Sequence, residues 1–148
     1  MSESEKLAYD NAKKTLQPDE YREFDRRFKL SRESVDLMDE TMINNFNSKV
    51  PVNGLTYFLG DISFYKDLNK TISLLKRMNG RKILIAGNHD KYMVKEKDFR
   101  DCFEMIRDFM EIKHEGQSIT LCHYALLTWN KSHHAAWNLH RTFSWVIA

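Results

Sequence analysis

Apolar residues recur along the chain with more than one period. Between Ser34 and Asn47 they stand at helical spacing, at Val35, Met38, Met42 and Phe46. Ser34 is placed to cap that segment and Asp36 lies in its first turn, so an amphipathic helix is expected there. Pro51 and Gly54 then punctuate the chain, and Leu55-Thr56-Tyr57-Phe58-Leu59 reads as a short buried strand that Gly60-Asp61 ends. Leu68, Thr71, Ile72, Leu75 and Met78 mark one face of a helix over 67–79. The next run, Lys82-Ile83-Leu84-Ile85-Ala86, is apolar without alternation, as a strand covered on both faces requires. Strand, helix and strand within about thirty residues make a βαβ unit, so strands 55–59 and 82–86 are expected to be parallel.

A basic loop from Lys91 to Lys97 leads into a further expected helix, with Phe99, Cys102, Phe103 and Ile106 on its inner face. Segments 109–114 and 118–122 read as strands joined by Glu115-Gly116, a two-residue hairpin turn, and the second runs directly into His123. The first thirty residues are dense in charge, from Lys13-Lys14 through Asp19-Glu20-Tyr21-Arg22-Glu23 to Asp25-Arg26-Arg27, the pattern of a solvated helix face. The N-terminal third is therefore expected to be helical. From Thr128 the chain is rich in Trp and His without clean periodicity; Trp129, Trp137 and Trp145 are expected to be packing anchors, and His114 to face solvent. No repeat, linker or low-complexity tract divides the sequence. The expected class is α/β in one domain, 1–148: a layered, mainly β core with a βαβ unit and flanking helices.

Composition narrows the field of functions. A chain of 148 residues can bury a full core without disulfide or metal staples, and 42% apolar with 30% charged residues excludes a disordered class. Twenty-three basic against 21 acidic residues leave +2, too even a balance to indicate nucleic acid or an anionic membrane surface. No apolar run approaches the roughly 18 residues of a membrane span, and the start, Met1-Ser2-Glu3-Ser4-Glu5-Lys6, is polar and acidic. A cytoplasmic protein is expected, with Cys102 and Cys122 as buried free thiols.

Three of the expected strands end in side chains able to bind a metal: Asp61, then Asn88-His89-Asp90, then His123. Ligands of open α/β sheets bind at the carboxyl ends of strands, where loops converge. Oxygen and imidazole donors together suit Mn, Fe, Zn or Ni better than Ca. Gly60-Asp61 after one apolar strand, Gly87-Asn88-His89-Asp90 after a second and His123 after a third resemble the calcineurin-like metallophosphoesterases, most closely the small phage and bacterial type. The helix from Met38 to Asn47 also resembles the one before the Gly-Asp strand of that type. The similarity runs from about Arg27 to His140, and the Gly-Asn-His-Asp quartet carries most of it. The resemblance implies a metal-dependent phosphoesterase, in particular a phosphodiesterase. Asp61 matches the carboxylate bridging two metals, and Asn88 and His123 match ligands of the second. His89 matches the imidazole that protonates the leaving oxygen, and Asp90 would orient that ring.

The departures from the family pattern carry as much information. No Asp-x-His occurs in the chain; Asp10 lies near the expected distance, but Ala12 stands where the His would be. Trp137-Asn138-Leu139-His140 resembles the approach to the family's Gly-His-x-His motif, yet Arg141-Thr142-Phe143-Ser144 takes its place, and the strands that usually follow are missing. The second metal keeps three matched ligands of four, Asp61, Asn88 and His123, and the first keeps only Asp61. At most one divalent ion is expected, completed by water or by His133, His134 or His140, with weak or absent activity on a phosphate-ester substrate. Two alternatives stand beside this: a relative without catalysis that acts as a binding or structural module, and a rearranged chain that folds differently at both ends. A sheet smaller than in typical relatives leaves an edge suited to a homo-oligomer.

Overall fold

The computed structural model describes residues 3–22 and 32–141. Trp145, Thr142-Phe143-Ser144 and the Asp25-Arg26-Arg27 charge cluster lie outside the described residues. The chain divides into two compact units, 1–41 and 42–148.

In the first unit, α1 spans Glu3–Thr15 and residues 18–22 are also helical. Helix α2 spans Arg32–Lys49, and the boundary between the units falls within it. The described N-terminal residues are thus helical, as their charge pattern implies. The packed face of α2 differs from the expected one. Met38 and Met42 are exposed, whereas Asp39 and Ile43, one position on, are buried. Leu37 is exposed as well, so apolar residues surround much of this helix and their spacing could not select one stripe.

The second unit contains β1 (Leu55–Phe58), α3 (Leu68–Arg77), β2 (Arg81–Ile85), the short α4 (Lys97–Arg100), β3 (Met105–Arg107), β4 (Phe109–His114), β5 (Gln117–Cys122) and β6 (Trp137–Leu139). Strands β1, β2 and β3 form one parallel sheet. The expected βαβ unit is present, with Tyr57 beside Ile83 and Phe58 beside Leu84. Its helix starts where the Asp67 carboxylate accepts the Asn69 N–H at 2.9 Å. At its other end the Asn47 amide donates to the Arg77 carbonyl at 2.9 Å and accepts the Asn79 N–H at 2.8 Å.

Strand β2 is covered on both faces because successive side chains point opposite ways. Leu84 joins Ile72, Leu75, Met93, Phe99 and Phe103 in the core beneath α3 and α4. Ile85 joins Ile119 and Leu121 of β5, flanked by Tyr57, Leu59, Met110 and Ile112, in the core between the two sheets. The order is helices, parallel sheet, second sheet. The class is mixed α/β with two three-stranded sheets.

Two elements depart from the sequence pattern. The helix after the basic loop stops at Arg100; Phe103 is held by a turn, its N–H on the Arg100 carbonyl at 3.0 Å, and Ile106 lies in β3. The spacing of Phe99 and Phe103 imitated a helix because both rings enter the same core, their centroids 5.2 Å apart. The chain passes from one sheet to the other at Asp108, the single residue between β3 and β4. Strands β4 and β5 pair antiparallel through Glu115 and Gly116, whose φ angles of 49° and 85° are those of a type I′ turn. The second departure is β6, which lies parallel to β5 with Asn138 beside Thr120. Trp137 is 57% exposed rather than an anchor, whereas Trp129 is half-buried and donates its indole N–H to the Ala136 carbonyl at 2.9 Å. Both cysteines are free thiols; Cys122 is buried, and Cys102 is only half-buried, with its thiol pKa pushed up by burial. Among the described residues no helix is long and apolar enough to cross a membrane.

Candidate metal centre

Strand β1 ends in a tight loop in which Gly60 has φ 86° and Asp61 φ 50°. A left-handed conformation is uncommon for a residue with a side chain and persists only where its surroundings fix it. Here Asp90 fixes it. One oxygen of this fully buried carboxylate accepts the N–H groups of Asp61 and Gly87, each at 2.8 Å, and the other accepts that of Ile62 at 2.9 Å. Asp90 thus ties the loop after β1 to the loop after β2. It was expected to orient the His89 ring, but both its oxygens serve the main chain, and among the described residues no hydrogen bond joins it to that ring.

The two loops bring Asp61, Asn88 and His89 to His123, which follows β5 and is buried. His123 Nδ1 lies 2.7 Å from the Leu59 carbonyl oxygen. A carbonyl can only accept, so Nδ1 carries a hydrogen and the ring turns Nε2 towards the centre. That atom is 3.1 Å from Asn88 Oδ1 and 3.7 Å from Asp61 Oδ2. The backbone N–H of His89 donates to Asp61 Oδ1 at 3.2 Å. Two glycines make room for this approach. A Cβ on Gly87 would lie 2.5 Å from Asp61 Oδ1 and 2.7 Å from His123 Cε1, and one on Gly60 would lie 2.5 Å from His123 Nδ1.

A carboxylate oxygen, an amide oxygen and an imidazole nitrogen therefore face one another. Such atoms repel unless a cation or a shared proton lies among them. The donor set fits one divalent first-row ion, and Nδ1–H on a backbone carbonyl is the outer-shell contact that orients a ligating histidine. Among the described residues no three or more of His, Cys, Asp and Glu cluster as a metal group; the third donor here is the amide of Asn88.

One site residue was not anticipated. Arg141 Nη1 lies 3.0 Å from Asp61 Oδ2 and donates to the carbonyls of Gly60 at 3.2 Å and Asp61 at 3.0 Å. Its backbone N–H reaches the His123 carbonyl at 3.2 Å, and its guanidinium lies 5.9 Å from the Phe64 ring centre. The sequence pointed to Arg141 only as the first residue of the segment standing where the resemblance led a Gly-His-x-His motif to be expected. Asp10 is exposed on α1. His114 is exposed; His133 and His134 are exposed with their rings 4.4 Å apart. His140 Nδ1 lies 3.1 Å from the Arg141 carbonyl oxygen. Among the described residues none of these histidines hydrogen-bonds to Asp61, Asn88 or His123.

No family model matches the chain. A stretch of 60 residues is 40% identical to the uncharacterized protein MJ1445 of Methanocaldococcus jannaschii, covering 40% of this chain and 34% of that one. The crystal structure of the protein of unknown function AQ665 from Aquifex aeolicus is similar at 33% identity with a TM-score of 0.49, over 58% of this chain and 46% of that one. The matched part is thus about a third of the first protein and just under half of the second.

Proposed function

We propose that this chain is a metal-dependent phosphoesterase of the calcineurin-like type, acting on phosphodiesters through a centre reduced to one divalent ion. The observation that carries the reading is the convergence of Asp61 Oδ2, Asn88 Oδ1 and His123 Nε2, with the ring oriented by Nδ1 on the Leu59 carbonyl. The order of helices, parallel sheet and second sheet supports the layered fold that the resemblance implies. Two unpaired thiols support a cytoplasmic location.

Asp61, Asn88 and His123 would hold the ion. When bound, it supplies Lewis acidity and a hydroxide at neutral pH. His89 is exposed, with its backbone N–H on Asp61 and its ring edge-on to Phe64 at 5.3 Å, and in this reading it would give a proton to the leaving oxygen. Among the described residues every side-chain hydrogen bond of Arg141 comes from Nη1, so Nη2 and Nε remain for phosphoryl oxygens. The pattern retains half of a two-metal clamp, so turnover is far below that of a complete relative.

The test is hydrolysis of bis(4-nitrophenyl) phosphate with Mn²⁺. Slow turnover, abolished by chelator and by Asp61→Asn, is expected. Turnover that is absent, or indifferent to Asp61→Asn, overturns the reading. The Arg141–Asp61 pair at 3.0 Å favours a second reading, a non-catalytic binding module, because a guanidinium already neutralises the carboxylate. An inert protein that binds no Mn²⁺ is its signature.

A further inference from the structure

A cavity of about 400 Å³ opens beside the candidate centre, lined by Ser63, Phe64, Tyr65, Lys66, His89 and Tyr92. It shares His89 with the centre, the backbone N–H of that residue being on Asp61. Phe64 stands at the junction, with the His89 ring centre 5.3 Å away and the Arg141 guanidinium 5.9 Å away. On the other side, Tyr92 donates its hydroxyl to the Tyr65 carbonyl at 3.2 Å, which fixes that ring relative to the loop after Asp61. Ser63 Oγ is occupied internally, accepting the Tyr65 N–H at 3.1 Å and the Thr71 hydroxyl at 2.9 Å, so it shapes the cavity floor.

Two features give this cavity a ligand chemistry. Phe64 and Tyr92 are both about half exposed, at 50% and 49%, although each is held in place by contacts of its own. Neither ring is consumed by the core, and both line the cavity. The volume lies within the roughly 300–1,000 Å³ of small-molecule sites. A planar aromatic ring stacks on aromatic walls and gains more there than an alkyl chain of similar reach. Lys66, exposed on the rim, and Arg141 beyond Phe64 both favour an anionic ligand.

We propose that this cavity seats a planar aromatic group joined to the phosphate that the centre handles. The ligands are then nucleotide-like or aryl phosphate esters rather than sugar or alkyl phosphates. This rests on the phosphoesterase reading for the position of the phosphate, and it adds the identity of the group attached. His89 lies between the two ends of such a ligand, at the junction where an ester oxygen would sit.

The experiment is calorimetric binding to the full chain in Mn²⁺ buffer, with AMP, phenyl phosphate, ribose 5-phosphate and inorganic phosphate as probes. AMP, phenyl phosphate or both should bind about tenfold more tightly than ribose 5-phosphate. The tighter of the two aromatic probes tells nucleotide from aryl ester. Tyr92→Leu and Phe64→Leu should each reduce the aromatic probe towards ribose 5-phosphate, and Tyr92→Leu should leave inorganic phosphate unchanged. Equal affinity for AMP, phenyl phosphate and ribose 5-phosphate, no binding of any probe, or a preference that survives both variants overturns the proposal. Tight aromatic binding in a protein that does not hydrolyse bis(4-nitrophenyl) phosphate would defeat the enzyme reading and leave this one standing. Hydrolysis without aromatic preference would do the reverse.

Discussion

Asp90→Ala removes a buried acceptor that no other group replaces. The wild-type carboxylate takes three backbone N–H groups, from Asp61, Ile62 and Gly87, at 2.8–2.9 Å. Each donor left unpaired costs about 1–3 kcal/mol, the lower figure where water reaches it. The Gly87 bond is buried, while those of Asp61 and Ile62 are only part-buried. A loss of about 4 kcal/mol follows, a large share of the roughly 5–15 kcal/mol that stabilises a domain. Asp90→Asn retains one oxygen, which can serve Asp61 and Gly87 while its amide nitrogen opposes the Ile62 N–H, so about 2 kcal/mol is expected. Urea unfolding with an unchanged slope measures both values. An Ala variant within about 1 kcal/mol of wild type, or one more stable than Asn, would show that the carboxylate does not clamp these loops.

Three further outcomes follow from the same geometry. Gly87→Ala should disorder the centre, because its Cβ would sit 2.5 Å from Asp61 Oδ1 and 2.9 Å from the Asp61 nitrogen; loss of Mn²⁺ binding with a cooperative unfolding transition retained is expected, and unchanged Mn²⁺ affinity contradicts it. Arg141→Ala should strengthen Mn²⁺ binding about tenfold, because a guanidinium 3.0 Å from Asp61 Oδ2 competes for the same oxygen; equal or weaker binding in equilibrium dialysis would count against that competition. Burial lowers the Lys82 pKa, so the unfolded chain holds that proton more tightly than the folded one, and its contribution to stability should rise with pH between the lowered folded value and the ordinary unfolded one. The raised Cys102 pKa contributes a slope of opposite sign, so the measure is the difference. From about pH 8 to pH 10 the urea midpoint should rise more steeply, or fall less, in wild type than in Lys82→Met, and identical slopes would refute the assignment.

The sequence carried the parts of this fold that repeat a strong local pattern. Lys82 to Ala86 had no alternation because both faces of β2 are covered, and the hairpin was legible because Glu115-Gly116 separates two apolar runs. Asp61, Asn88, His89 and His123 were legible as a group because each follows a strand whose end meets the others. Strands β3 and β6 were not, since three residues each give too short a run to carry a period. The role of Asp90 was hidden for another reason: its partners are backbone amides, which sequence does not label. Arg141 was visible only as a missing motif, because a guanidinium reaching 80 positions back to Asp61 leaves no local signature.

Equilibrium binding of Mn²⁺ to the full chain, followed by the loss of the free-ion paramagnetic resonance signal, tests the central claim most directly. If Asp61, Asn88 and His123 are convergent acceptors for one cation, wild type binds one Mn²⁺ per chain, and both Asp61→Ala and His123→Ala abolish it while remaining folded. Two ions per chain, or Mn²⁺ binding that survives both substitutions, or no binding even in Arg141→Ala, would contradict the account.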